Sequence, residues 1–482
     1  MKKIIISSLS ILFMLTSCDT SLDINRDPDS ISDAPLASQL PSGMLGLIAA
    51  EGSYYALVGG FWSQYWTQSP GSNQYKDIDG YVIGSGDLFQ AWAAMYDALG
   101  DIRNVKSKAL MSENWNYYLM ATVLEVQGSQ IMTDFYGDVP YSEANNKSIL
   151  EPKYDKSEAI YDQMINDLDK ALAKDLSTSK GSLPATDDLI FAGNMTKWKA
   201  FAYTLKLKIY MRQTNSSRTA VASAGINSLL SSGDAFLTVD AGLTQFTDSP
   251  NVSNPLYESD RRQLNTGTNL KMSRTLESYF NLNSDTRKSK YYGAGTFAYQ
   301  GDFEQNLPQT TFATVIINPT TPAFLMSKEE SLFLQAEAQA RFGTSISAKI
   351  FYDSAVSTNF SRYSLVSTSF TSIGGVYEYP LASSLSDQIK AIITQKWIAA
   401  FPGNGFEAFF DTNRTGFPKK SLVPQSSPSY IPGELAYSVN GVTGAGKFPR
   451  RIVYPQEEAT TNSNTPSAAT FKITTPIWWD LN

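Results

Sequence analysis

The chain has 482 residues, with 39 Lys and Arg against 46 Asp and Glu, no histidine and a single cysteine. This composition excludes a Ser-His-Asp triad, a Cys-His pair, a histidine-based zinc site and a disulfide framework, and leaves only carboxylate, lysine, tyrosine or hydroxyl chemistry. The acidic balance, with no basic cluster longer than Arg450-Arg451, excludes a nucleic-acid partner, and neither a cofactor nor a metal is expected.

Residues 1–17 read as a signal peptide: Lys2 and Lys3 precede an apolar run, Ile4 to Leu15, too short to span a bilayer of about 30 Å. Leu15-Thr16-Ser17-Cys18 closes it as a lipoprotein signal, so Cys18 becomes the first mature residue and carries palmitate-type lipid. Several acyl chains at about 0.8 kcal/mol per methylene make that anchor permanent. Loss of Lys2 and Lys3 leaves 37 basic against 46 acidic residues. Residues 18–43 are polar and turn-rich, a lipidated tether, and 44–482 are expected to form one domain.

Next, Phe61-Trp62-Ser-Gln-Tyr65-Trp66 runs into Asn73-Gln-Tyr75. Sugars offer apolar faces to rings and hydroxyls to amides, which makes Trp62, Tyr65, Trp66, Asn73 and Tyr75 candidate ligand contacts; the four-residue spacing of Trp62 and Trp66 equally suits a buried helical face. Asp77-Ile-Asp79-Gly80 fails as an EF-hand because its twelfth position is Gly86.

A helical scaffold is expected over about 88–212 and 327–401. Tyr117 to Met132 holds one charge, Glu125, and predicts a helix enclosed by protein. Asp134 and Asp138 flank a turn and are weak candidates for a glycosidase pair. Asp155-x-x-Glu158 predicts a capped helix start, with Ile160, Met164, Leu168 and Leu172 as its apolar stripe. In Lys197 to Arg212, Trp198, Ala202, Leu205 and Ile209 face inward, and Lys199, Lys206 and Arg212 are expected on a solvated face.

Ser327-x-x-Glu330 predicts a capping box for a helix that stops at Gly343, with another starting near Ser347. Leu332, Ala336, Ala348, Tyr352 and Ala355 fall at tetratricopeptide (TPR) spacing. Ser386 or Asp387 is expected to cap a helix through Ile389, Ile393 and Trp397 that ends at Phe401-Pro402-Gly403. The blocks 213–326 and 404–482 read as loop-rich insertions with short strands. Among them Asn404, Asn413 and Arg414 are candidate ligand contacts, an arginine fork being suited to carboxylates or paired hydroxyls.

Taken in order, these segments resemble the SusD/RagB family, specifically its SusD-like nutrient-binding outer-membrane lipoproteins. The segments are Leu22-Asp-Ile-Asn-Arg-Asp-Pro28, Thr133-Asp-Phe-Tyr-Gly-Asp-Val-Pro-Tyr141, Glu330-Ser-Leu-Phe-Leu-Gln-Ala-Glu-Ala338, Glu407-Ala-Phe-Phe-Asp-Thr-Asn-Arg414, Phe448-Pro-Arg-Arg-Ile-Val-Tyr-Pro455 and Trp478-Trp-Asp480. The resemblance implies a mostly α fold, a superhelix of TPR-like helix pairs supporting a loop-rich ligand-binding half with few short strands. It further implies a lipid-anchored protein on the outer membrane that captures oligosaccharide and passes it to a SusC-type TonB-dependent barrel, without catalysis of its own. A peptide-binding TPR-type receptor and a carboxylate-dependent glycosidase are the alternatives.

Overall fold

A computed structural model describes residues 34–86, 88–264, 267, 269–467 and 471–481; the expected signal segment and lipidated Cys18 lie outside them. Helix α1 (Leu36–Ala50) passes through a π-turn, Glu51–Tyr55, into α2 (Ala56–Trp62). Helix therefore begins within the stretch expected to be tether, because Leu40, Met44 and Leu47 find complete burial there. Among the described residues only Leu36–Trp62 is long and apolar enough to cross a bilayer, but 67% of its most apolar window is buried, the mark of a core helix.

The short strand β1 (Trp66–Gln68) and the single turn α3 (Lys76–Asp79) lead to α4 (Phe89–Met111) and α5 (Trp115–Tyr136), which pack on α1. Every residue of α5 from Asn116 to Tyr136 is buried, as its near-absence of charge predicts. Its one early charge, Glu125, is held by Arg103 at 2.8 Å and Lys106 at 2.6 Å from α4. Gly128 sets the helix spacing: a Cβ there would stand 2.9 Å from Leu47 and 3.0 Å from Met95.

Helix α6 (Ser157–Leu172) buries Ile160, Met164 and Leu168 as expected, but its cap differs. Asp155 is spent on the backbone N–H groups of Tyr141 and Ser142, at 3.1 and 2.7 Å, and Asp138 instead accepts the Ser157 N–H at 2.9 Å. In α7 (Met195–Arg212), Trp198, Ala202, Leu205 and Ile209 are fully buried. Arg212, expected on the solvated face, is buried as well, because the helices opposite supply three carboxylates.

After α8 (Thr219–Ser231), β2 (Ala241–Leu243) pairs antiparallel with β4 (Ala323–Met326), and β3 (Leu270–Met272), followed by α9 (Arg274–Leu282), pairs antiparallel with β1. The β1–β3 ribbon ties the 213–326 insertion to the segment after α2, and the β2–β4 ribbon closes within the insertion. Helix α10 (Lys328–Phe342) is capped by Ser327, whose Oγ accepts the Glu330 N–H at 3.1 Å, and stops at Gly343 as predicted. With α11 (Ser345–Arg362) it forms the TPR-like pair: Leu332, Ala336, Ala348, Tyr352 and Ala355 share one buried cluster. Side chains of that kind contribute roughly 1.5–3 kcal/mol each when fully buried, Ala less, which is what holds the pair closed.

Helix α12 (Leu385–Ala399) is capped two residues earlier than expected, by Ser384, and buries Ile389, Ile393 and Trp397. Helix α13 (Gly405–Thr415) was not legible: its stretch reads as loop, yet everything from Gly405 to Arg414 is buried. It crosses α2 where two glycines meet. A Cβ on Gly59 would lie 2.1 Å from the Phe406 nitrogen, and one on Gly405 2.7 Å from the Gly59 carbonyl carbon.

Candidate functional site

The segments 61–75 and 404–414 do come together, but as core. The Trp62 ring lies 4.9 Å from that of Phe409, and its indole N–H donates to the Ile78 carbonyl at 3.2 Å. Trp66 is fully buried over Gly60, where a Cβ would overlap the indole, and the Tyr65 hydroxyl donates to the Trp397 carbonyl. Ser63 Oγ donates to the Gly405 carbonyl at 2.6 Å, closing the junction. Tyr75 is buried too; burial and the neighbouring Asp260 carboxylate push its phenol up. The expectation that Trp62, Tyr65, Trp66 and Tyr75 form a ligand platform is thus corrected: the close helix crossing covers their faces.

Arg414 and Asn413 are corrected in the same way. The Arg414 guanidinium grips Glu337 at 2.6 and 2.7 Å and Asp411 at 2.8 Å, and Asn413 Oδ1 accepts from Lys420 at 2.8 Å, all out of solvent. They belong to a buried charge network in which Lys208, Arg212 and Lys396 also hold Glu407 and Asp411. Despite burial, these cations pull the Glu407 carboxyl down to about 2. Asp134, on the same network, accepts from Trp479 at 2.9 Å and Arg212 at 3.1 Å, and burial raises it to about 6. Asp138 caps α6 and meets Lys156, so the two aspartates are fold-forming groups.

What faces solvent is a different surface, built where three loops meet. Val439 and Asn440 donate backbone N–H groups to the carbonyls of Gln300 and Gly301 at 3.3 and 3.2 Å, and Val442 donates to Gly80 at 3.0 Å. Asp79 anchors the junction from below: it accepts from Thr67 Oγ1 at 2.6 Å, the Gln68 N–H at 2.8 Å and the Gln300 amide. Burial lifts its carboxyl to about 6.

Above that anchor, Phe297, Tyr299 and Phe303 are half-buried, while Asn73, Gln74, Asn306 and Asn440 are exposed. The Lys76 ammonium sits 5.1 Å from the Phe303 ring. The Arg274 guanidinium is boxed by Phe297 at 5.1 Å, Tyr299 at 5.3 Å and Tyr430 at 5.5 Å, which fixes the rings in place. Of the candidate contacts, only Asn73 is exposed. The signal that marks this face in sequence is Phe297-Ala-Tyr299-Gln-Gly-Asp-Phe303, alternating rings around a glycine whose φ is +62°.

Asn404 is elsewhere. It is half-buried, donates to the Phe324 carbonyl at 3.0 Å, and lines a cavity of about 430 Å³ between the π-turn of α1, β4 and the α12–α13 turn. No group of three or more carboxylate or cysteine ligands fit for a metal ion occurs among the described residues.

TPR-like helix pairs carrying a loop-built face of rings and amides define a binding scaffold. A family model for SusD-like proteins, described as "Starch-binding associating with outer membrane", matches residues 28–455, and the chain belongs to that family. No curated protein matches the sequence. Solved structures share the fold: a SusD homologue from Bacteroides uniformis (24% identity, TM-score 0.70, 92% of this chain and 99% of that one) and a chitin-binding SusD homologue from Flavobacterium johnsoniae (21%, 0.75, 92% and 99%). A homologue from Bacteroides thetaiotaomicron is similar at 20% identity and TM-score 0.70, over 93% and 100%.

Proposed function

We propose that this protein is a non-catalytic, lipid-anchored outer-membrane lipoprotein that captures oligosaccharide at the loop face and hands it to a SusC-type TonB-dependent barrel. The observation that carries the reading is the run of partly exposed rings Phe297, Tyr299 and Phe303, in a loop that backbone hydrogen bonds join to the exposed Asn440. Rings present apolar faces to sugar rings, and amides complete the hydroxyl contacts at little entropic cost when the backbone is fixed. The starch-binding description of the family and the chitin-binding homologue support a glycan over a peptide.

The barrel partner follows from the physics of import, since a tethered binder cannot itself move a solute across a membrane. Calorimetry with starch- and chitin-derived oligosaccharides tests capture, with peptides as the opposing panel. Pull-down in mild detergent tests the partner, and Cys18→Ala, which should release a folded body into the soluble fraction, tests the anchor. Peptide binding without glycan binding would refute the reading.

A further inference from the structure

The cavity beside the π-turn is chemically unlike the loop face. Three carboxylates line it, Glu51, Glu330 and Glu407, together with Arg362 and Lys396. The cations are already committed: Arg362 donates to Glu329 at 2.7 Å and Asp240 at 2.8 Å, and Lys396 pairs with Asp411 at 2.8 Å. Glu407 in turn is committed to Lys208 at 2.9 Å and Arg212 at 2.6 Å.

That leaves Glu51 outside ion-pair distance of any cation among the described residues, and Glu330 with only a share of Lys208, at 3.4 Å, which Glu407 also holds. Both are more than nine-tenths buried, at 3% and 6% exposure. Among the described residues Glu51 accepts only from the neutral Gln127 amide, at 3.3 and 3.2 Å, a donor it shares with the Leu325 carbonyl. Among the described residues no hydrogen-bond donor satisfies Glu330 Oε1; it is ion-paired to Lys208 at 3.4 Å, while Lys208 hydrogen-bonds Glu407 at 2.9 Å. Burial pushes both carboxyls up, against the lowering influence of Lys208.

Buried carboxylates lacking a partner cost several kcal/mol, and proteins relieve that cost with a ligand, a metal or a proton. A bare metal ion suits the site poorly, because Phe324 and Phe406 form part of its wall. Rings beside carboxylates fit an organic cation with an apolar face. The volume, about 430 Å³, is at the small end of ligand pockets and takes one compact molecule.

We propose that this cavity is a second binding site, separate from the loop face, for a small organic ammonium the size of one sugar ring, held by Glu51 and Glu330. Gly403 and Asn404 line the cavity, and an added Cβ on Gly403 would meet no atom within 4 Å. A larger side chain at that position therefore meets no backbone and can occupy space at the cavity wall.

Calorimetry of the mature protein with glucosamine, against N-acetylglucosamine, glucose and calcium chloride alone, tests the assignment. Glucosamine should bind at least tenfold more tightly than either neutral sugar, and calcium should give no heat. Glu330→Gln should weaken glucosamine at least tenfold and Gly403→Phe should abolish it, both with unchanged melting temperature, while Phe303→Ala should leave it intact. Equal affinity for the neutral sugars, no binding of glucosamine, calcium in its stead, or loss in Phe303→Ala with retention in Gly403→Phe would each overturn the proposal. Should Glu330→Gln fail to fold, Gly403→Phe alone decides.

Discussion

Residues 61–75 and 297–309 both alternate aromatic rings with amides and small residues, yet the first stretch is swallowed by the core and the second stays at the surface. The difference lies in what crosses over each. Gly59 and Gly60 sit one turn before Trp62 and let α13 and the Trp66 ring approach at backbone distance, so the rings that follow are covered. The 297–309 loop is bonded to β3 through Ala298 and Met272 and to residues 439 and 440, and Phe297, Tyr299 and Phe303 stay partly exposed. Aromatic density marks a platform only where the fold leaves the rings open.

The strongest way to break this comparison is to remove the covered groups. Trp66→Ala should cost about 3–5 kcal/mol, the range for a large buried ring. Arg414→Ala should cost a similar amount, about 3–5 kcal/mol, because Glu337 and Asp411 are left buried without their guanidinium. Urea unfolding checks both, and the folded fraction of each variant should bind glycan as the parent does.

A pH experiment probes the anchor beneath the exposed loops. The Asp79 carboxyl lies near 6 when folded, above its ordinary value of 3.8, so its ionisation opposes folding. Its favourable contribution is complete below about pH 4 and is lost as pH rises through 6. Relative to the parent, Asp79→Asn should gain on the order of 2–3 kcal/mol between pH 4 and pH 7, measured by urea unfolding at the two values. Glu407 runs the other way: held near 2, it stabilises above about pH 4.5 and loses that contribution as pH falls toward 2.

Smaller effects on stability but clear ones on binding belong to the open face. Phe303→Ala should change unfolding free energy by less than about 1 kcal/mol while weakening oligosaccharide at least about tenfold, the behaviour of a contact hot spot. Asn73→Ala, the loss of an exposed amide, should weaken binding by less than about tenfold and leave the melting temperature alone.

Much of the scaffold was legible because it rests on local rules. The Ser327 cap, the stop at Gly343 and the TPR spacing from Leu332 to Ala355 depend on neighbours within a few turns, and the structure reproduces them. Helix α13 was not legible, because Glu407, Asp411 and Arg414 make one face of Gly405-Phe-Glu-Ala-Phe-Phe-Asp-Thr-Asn-Arg414 charged, as a solvated stripe would be, and distant partners neutralise it: Lys208 and Arg212 from α7, Glu337 from α10. Arg212 was misplaced for the same reason. The site suffered most, since choosing between 61–75 and 297–309 requires knowing that α2 and α13 cross, a contact between residues more than 300 positions apart.

The most direct test of glycan capture at the loop face is a calorimetric titration of chitin and starch oligosaccharides into the parent, Phe303→Ala and Arg414→Lys, each confirmed folded. Parent and Arg414→Lys should bind one of the two glycans with equal affinity, and Phe303→Ala should bind it at least about tenfold more weakly. Full affinity in Phe303→Ala together with loss in a folded Arg414→Lys would contradict the account and return the site to the buried segments.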